Sequence, residues 1–189
     1  MKQHYIFLFF KILSVFYNVW GIDVFILRAE DYLCELNRSN ILTFENMKIG
    51  IANDHAGVEY KNKLVEYLTG KGYEMVNFGT DTTDSMDYPD VAHPLANAVE
   101  SGEVDLGIAF CGTGNGIQMT LNKHQGIRAG LCWNNDVAAL IRQHNNANVV
   151  VLPARFISND EAMEIVNTFL STDFEGGRHE ARVAKIACK

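Results

Sequence analysis

From residue 47 onward, short apolar segments alternate with segments whose apolar residues follow the spacing of an amphipathic helix. Five apolar runs predict buried strands at 48–53, 73–78, 105–110, 127–133 and 148–153. Helices are predicted at about 57–71, 91–101, from 117 onward, and at 135–144, 159–170 and 178–188. Apolar strands joined by helical crossovers indicate an α/β fold, in which helices cover both faces of a five-stranded parallel sheet.

Polar residues with reactive side chains follow the first and third predicted strands. Asp54 and His55 come directly after the first strand, and Cys111 with a glycine turn ends the third. A polar loop at 79–90 follows the second strand and contains Tyr88. Ligands of parallel α/β sheets bind at the carboxyl ends of the strands, near the point where strand order reverses. We therefore expect a binding site at this edge of the sheet.

Cys111 begins the run CGTGNG, residues 111–116. Glycines at alternate positions leave the intervening backbone N–H groups free to converge on an anion, and the helix that follows adds a partial positive charge. This setting favours a thiolate. The start of a helix stabilises a thiolate by only about 0.3–1 kcal/mol. Hydrogen bonds from the turn or a nearby cation must therefore stabilise it further. The alternative interpretation is a buried structural cysteine beside a tight turn.

Each of the other candidate residues has an ordinary structural interpretation beside the functional one. Asp54 is suited to cap a helix, which would leave His55 solvated. His144 stands at the end of a predicted helix, where an imidazolium is favoured without any catalytic role. Arg178 and Arg182 are four residues apart on one predicted helix face, and surface salt bridges commonly explain such a pattern.

The overall composition excludes several classes of function. A net charge of −7 argues against an extended nucleic-acid surface. The spacing of Gly112, Gly114 and Gly116 matches neither a dinucleotide fingerprint nor a P-loop, and no histidine and carboxylate cluster has typical metal-ligand spacing. We therefore expect no cofactor and no metal. The four cysteines are far apart and form no C-x-x-C pair, which favours free thiols in a reducing compartment such as the cytoplasm.

Residues 1–46 differ in character from the rest of the chain. Residues 5–27 are dense in Phe, Ile, Leu and Val, but Lys11 and Asp23 interrupt this stretch. Three interpretations compete: a membrane anchor, an amphipathic addition to the fold, and translated upstream sequence before a start at Met47. The third is favoured, because a complete first strand follows Met47 directly. We therefore expect an extension at 1–46 that lies outside the folded domain, and one domain at 47–189.

Several short motifs in one order resemble ribose-5-phosphate isomerase B and its relatives, the sugar-phosphate isomerase family that includes galactose-6-phosphate isomerase. They are IANDHAG at 51–57, DYP at 87–89, CGTGNG at 111–116, NK and GIRA at 122–129, RQHN at 142–145 with Asn148, and EGGRH at 175–179. The resemblance covers residues 47–189, about three quarters of the chain. One departure is Asn53, where the family commonly has serine or cysteine.

The resemblance implies a three-layer αβα Rossmann-like fold and a role in the pentose phosphate pathway. It implies an aldose–ketose isomerase that interconverts ribose 5-phosphate and ribulose 5-phosphate through an enediolate. By this resemblance, Cys111 is the base that moves a proton between the carbons flanking the carbonyl, Thr113 relays a proton, and His144 opens the furanose ring. The backbone of residues 112–116 would hold the enediolate oxygen, an oxyanion-hole role.

The resemblance also implies which residues bind the substrate. Sugar-binding roles fall to Asp54, His55, Tyr88, Gly112, Gly114, Asn115, Gly116 and Asn145. Arg155, Arg178 and Arg182 would hold the phosphate, and such a local group of guanidinia suits a dianion even on an acidic protein. The family implies a homodimer or a dimer of dimers whose site is shared between subunits, with neither a nucleic-acid nor a membrane partner.

Three other functions remain open at this stage. The first is a hexose-6-phosphate isomerase acting on galactose or allose 6-phosphate, which would need room for a sixth carbon. The second is a non-catalytic sensor that binds a sugar phosphate in the same pocket. The third is a thiol hydrolase that uses Cys111 and His144, and it is the least favoured because no leaving-group pocket is evident.

Overall fold

The structure is a computed structural model, and it describes residues 47–188. The predicted extension at 1–46, with its three interpretations, lies outside the described residues. Within residues 47–188, no helix is both long enough and apolar enough to cross a bilayer.

One parallel sheet forms the centre of the domain. Its strands are β1 (Lys48–Asn53), β2 (Glu74–Asn77), β3 (Leu106–Cys111), β4 (Ala129–Leu131) and β5 (Val149–Pro153). The order across the sheet is β2-β1-β3-β5-β4, and every neighbouring pair is parallel. The five-stranded parallel sheet is confirmed, and β3 lies at its centre with strands on both sides.

Helices cover both faces of the sheet, which confirms the three-layer α/β architecture. They are α1 (Val58–Gly70), α2 (Pro89–Ser101), α3 (Asn115–Leu121), α4 (Asn135–Asn145), α5 (Asn159–Ser171) and α6 (Glu180–Val183), with 3₁₀ turns at His55–Gly57 and Gly177–His179. One apolar cluster joins the sheet to α1 and α5 through residues such as Leu64 and Phe169. A second cluster joins the opposite face to α2 and α3, through residues such as Leu95 and Ile117.

The prediction of a long last helix at 178–188 is wrong. The segment instead contains a 3₁₀ turn and the four-residue helix α6. Gly176 and Gly177 have positive φ angles of 67° and 57°, and nearly all side chains from 180 to 188 are exposed. A short helix gains most of its stability by burying an apolar face. Because the side chains of this segment are exposed, little burial is available to stabilise a longer helix.

A buried lysine forms hydrogen bonds that hold the 79–90 loop at the carboxyl edge of the sheet. Lys61 on α1 is only 2% exposed, and its Nζ donates to the Thr80 carbonyl at 3.0 Å and to the Asp81 carboxylate. Asn53 at the end of β1 donates to the same carbonyl through Nδ2 at 3.1 Å. The loop that carries Tyr88 is therefore held by hydrogen bonds from two buried side chains.

We expect Lys61→Met to lower the free energy of unfolding by about 1.5–3 kcal/mol, because it removes charge-assisted hydrogen bonds to the loop. The matched control is Lys63→Met, since Lys63 lies on the same helix and, among residues 47–188, forms an ion pair only with the exposed Glu59, at 2.7 Å. Its loss should change stability by less than about 0.5 kcal/mol. Urea denaturation of both variants measures the difference, and equal effects would contradict the anchoring role.

Candidate active site

Cys111 ends the central strand at the carboxyl edge of the sheet. Its side chain is 4% exposed, and its Sγ accepts a hydrogen bond from the Gly114 N–H at 3.2 Å. β3 is paired to β1 and β5 on its two sides, so the backbone position of the sulfur is held from both directions. The structure thus supplies one of the turn hydrogen bonds that a thiolate at this position requires.

Two of the glycines that follow Cys111 leave no room for a side chain. Gly114 has a φ of 77°, and a Cβ there would overlap Leu131 Cδ1. A Cβ at Gly116 would lie 2.5 Å from the Tyr88 ring. These positions therefore need glycine for the turn itself and for the close approach of neighbouring side chains.

Arg155 lies beside the same turn. Its backbone N–H donates to the Gly112 carbonyl at 3.0 Å, and the preceding Ala154 N–H donates to the Cys111 carbonyl at the same distance. A Cβ at Gly112 would lie 3.1 Å from Arg155 Nε, so the guanidinium group stands next to the turn. Within the described residues, the N–H groups of Gly112 and Thr113 donate to no protein acceptor. The turn therefore combines a cation with free donors, as binding an anion requires.

Asp54 and His55 follow β1 at the same edge. Asp54 is 6% exposed, and its Oδ1 caps the 3₁₀ turn by accepting from the Ala56 N–H at 2.9 Å. His55 is partly buried, and its Nδ1 accepts from the Met86 N–H at 3.5 Å, which leaves Nε2 as the donor. The capping role considered from the sequence is therefore real, and it holds both side chains beside the end of β3.

Three further predicted residues lie at the rim of this edge. Tyr88 is 38% exposed, and its ring packs against Gly116. Thr113 and Asn115 are exposed, and the Thr113 hydroxyl accepts from the Asn115 N–H at 3.3 Å. We call the group of residues at this edge the cysteine half-site. It comprises Asp54, His55, Tyr88, Cys111, Arg155 and the turn residues 112–116.

The remaining predicted residues lie at the opposite edge of the sheet. Helix α4 runs back from the end of β4 to the beginning of β5, so His144 and Asn145 in its last turn lie at the amino ends of the strands. The tail from 172 onward returns to the same place, because the Glu175 N–H donates to the Gln143 carbonyl at 3.1 Å. We call His144, Asn145, Arg178, His179 and Arg182 the histidine half-site.

His144 is held by its neighbours in this half-site. Its ring stacks on that of His179, with centroids 4.3 Å apart and planes within 6°. His179 is 5% exposed, and burial lowers its pKa, with electrostatic repulsion from its His144 and arginine neighbours adding to this effect and Glu175 opposing it. The Arg178 Nε accordingly donates to His179 Nε2 at 3.3 Å. The neutral, buried imidazole thus serves as a platform for the half-exposed His144.

A single chain does not bring the two half-sites together. Arg155 follows β5, whereas His144 precedes it, and a strand of five residues spans roughly 15 Å. Arg178 and Arg182 are therefore separated from Arg155, and His144 is separated from Cys111. Each half-site is assembled from predicted residues, but the sheet lies between them.

Other residues of the six motifs stabilise the fold through hydrogen bonds to the backbone. The sequence did not reveal these roles. The Asn122 side chain exchanges two hydrogen bonds with the Ala129 backbone, at 2.9 and 2.8 Å. The Asn148 side chain accepts from the Arg128 N–H and donates to the Gly126 carbonyl, each at 2.8 Å. Sequence reasoning also missed Glu175 and His179 as neighbours of His144, because only the fold brings the tail to α4.

The thiols of the described residues differ sharply in their surroundings. Cys111, Cys132 and Cys188 are all free. Burial raises the pKa of Cys132 to about 12, so this thiol is chemically inert at neutral pH. Cys111 instead lies against the donors of the glycine turn.

A sequence model of the family described as Ribose/Galactose Isomerase matches residues 49–186. The chain belongs to this isomerase family. Ribose-5-phosphate isomerase B of Escherichia coli K12 is 42% identical over 139 residues, which are 74% of this chain and 93% of that protein. The match to this family of aldose–ketose isomerases therefore spans nearly the whole described domain.

Solved structures of the family superpose on the same part of the chain. A ribose 5-phosphate isomerase from Thermotoga maritima has a TM-score of 0.73 and 51% identity, covering 75% of this chain and 97% of that chain. Ribose-5-phosphate isomerase B from Mycoplasma genitalium, solved with bound ribulose-5-phosphate, has a TM-score of 0.71 and 43% identity, covering 74% and 93%. The resemblance inferred from the motifs is thus confirmed.

We expect Gly114→Ala to destabilise the isomerase fold more than Gly102→Ala, although both glycines have nearly the same φ, 77° and 75°. A Cβ at Gly102 meets no atom within 4 Å, so its substitution costs only the left-handed strain, about 1–2 kcal/mol. Gly114→Ala adds the overlap with Leu131, a cost of about 1–3 kcal/mol. Thermal and urea unfolding measure the difference. Equal losses would show that the turn tolerates a side chain.

Proposed function

We propose that this chain interconverts ribose 5-phosphate and ribulose 5-phosphate, with Cys111 as the base. The observation that carries the proposal is the sulfur of Cys111 at the end of the central strand, hydrogen-bonded to an amide of the glycine turn in a fold of the isomerase family. The relative from Mycoplasma genitalium, solved with bound ribulose-5-phosphate, supports the choice of substrate.

The reaction begins with opening of the furanose ring. His144, protonated, donates a proton to the ring oxygen while the anomeric hydroxyl passes its own proton to a solvent water, which produces the open-chain aldehyde. General acid catalysis of this kind contributes about 10²–10⁴-fold. The stack on His179 holds the imidazole in one orientation, and its half exposure leaves the ring accessible to a ligand.

The isomerisation itself is a transfer of one proton between adjacent carbons. The Cys111 thiolate removes the proton from C2, and the electron pair moves to the carbonyl oxygen to form the enediolate. The free N–H groups of Gly112 and Thr113 would donate to this oxygen, and one such donor contributes a factor of about 10²–10³. The thiol, whose proton exchanges with solvent, then delivers a proton to C1, while the Thr113 hydroxyl relays the proton between the two oxygens.

The sugar hydroxyls are bound by side chains with a free polar atom. Asp54 uses Oδ1 for the cap, which leaves Oδ2 for a hydroxyl, and His55 offers its Nε2 hydrogen. Tyr88 and Asn115 contribute from the rim, and Asn145 contributes from the histidine half-site.

The phosphate is bound by Arg155, Arg178 and Arg182, which requires the two half-sites to meet. Because they lie at opposite edges of the sheet in one chain, we infer a homodimer in which the cysteine half-site of one subunit faces the histidine half-site of the other. Large exposed apolar side chains support an interface. They are Met119, Trp133, Leu140, Phe156 and Ile186, between 44% and 70% exposed. Bidentate guanidinium groups from both subunits would then enclose the dianion.

A hexose 6-phosphate isomerase is the second candidate, because the family description includes galactose isomerases. Comparing kcat/KM for the pentose and hexose phosphates separates the two, since a pocket fitted to five carbons excludes the sixth.

A cytoplasmic location is part of the proposal, and fractionation of cells measures it directly.

We expect Cys111→Ala to lower kcat on ribose 5-phosphate by at least about 10²–10⁴-fold, because the proton loses its acceptor. Binding of the sugar phosphate, measured by calorimetry, should remain nearly intact. Cys132→Ala is the matched control, since this thiol is fully buried and is not part of the proposed site. Unchanged turnover in Cys111→Ala would remove the thiol from the mechanism.

Mixing two inactive variants tests the shared site. Cys111→Ala and His144→Ala are unfolded, mixed in equal amounts and refolded, so that about half of the dimers contain one chain of each kind. Each mixed dimer has one intact site, and activity should return to about one quarter of the wild-type value. Either variant refolded alone is the control. Activity that stays at the level of the two controls would mean that both residues must come from the same chain.

A further inference from the structure

Two imidazoles of the histidine half-site and a neighbouring carboxylate form a group of three side chains that can ligate a metal. His144 Nε2 and His179 Nε2 lie 3.9 and 3.8 Å from the same carboxylate oxygen, Glu175 Oε2. Among residues 47–188, these three side chains form a group in which every ligand atom lies within 4.8 Å of the others. Two imidazoles and one carboxylate form a donor set that suits zinc and its first-row neighbours, whereas magnesium and calcium prefer oxygen alone.

The distances require only a small contraction around an ion. Metal–nitrogen and metal–oxygen bonds of about 2.0–2.2 Å place two donors on a tetrahedral ion about 3.3 Å apart. The two imidazole–carboxylate separations exceed this by roughly half an ångström, and the two imidazole nitrogens lie within 4.8 Å of each other. The two rings must also tilt from their parallel stack so that both lone pairs point at the ion. His144 is half-exposed and Glu175 is exposed, so both side chains have the freedom to move.

The third ligand already presents a lone pair. His179 is buried, and its Nε2 accepts from the Arg178 Nε at 3.3 Å, so this nitrogen carries no proton. A metal ion would take the place of that donor and release the Arg178 guanidinium. The positive charges of Arg178 and Arg182 oppose a cation, so the covalent preference of transition metals for imidazole must supply the affinity.

We infer that His144, Glu175 and His179 form a binding site for one divalent transition-metal ion, zinc being the representative case, and that the bound ion inhibits the isomerase. Inhibition follows because a His144 ring coordinated through Nε2 can no longer form the imidazolium that acts as the acid, and because the metal displaces a phosphate-binding arginine. The inhibition rests on the proposed function, whereas the binding does not.

Cobalt and zinc titrations test the binding without reference to activity. Chelator-treated protein is titrated with Co²⁺, followed by its visible absorption, and with Zn²⁺ in competition with a chromophoric chelator. We expect one ion per chain at this site, and Glu175→Gln and His179→Gln should each weaken binding at least about 10-fold. Glu175→Gln serves as the second variant because Glu175 is exposed, so its substitution leaves the core intact even if His179→Gln is unstable.

Two control variants exclude the other metal-binding groups. Cys111→Ala removes the candidate thiol, and His93→Gln breaks the second imidazole pair, in which His93 Nδ1 lies 2.8 Å from His124 Nε2. Both should keep wild-type affinity. Affinity that survives in Glu175→Gln and in a folded His179→Gln, or that disappears in either control, would overturn the proposed site.

An activity measurement separates inhibition from binding. Zinc should lower kcat/KM of the wild-type protein on ribose 5-phosphate, and Glu175→Gln should need at least about 10-fold more zinc for the same inhibition. Equal inhibition of a variant that no longer binds the ion would overturn the inhibitory role. A metal-free protein without isomerase activity would contradict the proposed function, while the titrations would still decide the metal site.

Discussion

The hydrogen bond from the Gly114 N–H to Cys111 Sγ is the contact on which the cysteine half-site depends. It forms only because Gly114 adopts a left-handed conformation and packs without a side chain against Leu131. The same turn brings the Arg155 guanidinium next to Gly112 through two backbone hydrogen bonds. One local conformation therefore holds the sulfur, the free amides and a cation in a fixed arrangement, before any substrate arrives.

The topology of a parallel sheet imposes the second constraint. All strands point the same way, so a helix that connects two of them must end at the amino edge, and α4 therefore carries His144 away from Cys111. The tail adds Arg178 and Arg182 to that edge and gives His144 a buried stacking partner. If the proposed site uses residues of both edges, a second chain must supply the missing half. In this account, dimerisation and catalysis are consequences of the same chain topology.

The strands and most helices were predictable because their apolar spacing is strong, as for β3 with six buried residues in a row. The position of Cys111 at a strand end followed from the same pattern. Contacts between distant segments were not predictable, since nothing in the spacing of Glu175 and His179 indicates that they meet His144. The helix expected at 178–188 failed for a related reason, because periodicity cannot tell whether an apolar face has a partner. The roles of individual residues came from the family motifs rather than from physical pattern.

Proton exchange with solvent tests the central claim most directly, because it reports the carbon-bound proton itself. The protein is incubated with ribose 5-phosphate in deuterated water and followed by proton NMR. We expect conversion to ribulose 5-phosphate, with deuterium entering at the carbons next to the carbonyl. In Cys111→Ala, both the conversion and the deuterium incorporation should be lost. Deuterium incorporation that persists unchanged in Cys111→Ala, or a wild-type protein that binds the sugar without converting or exchanging it, would contradict the account.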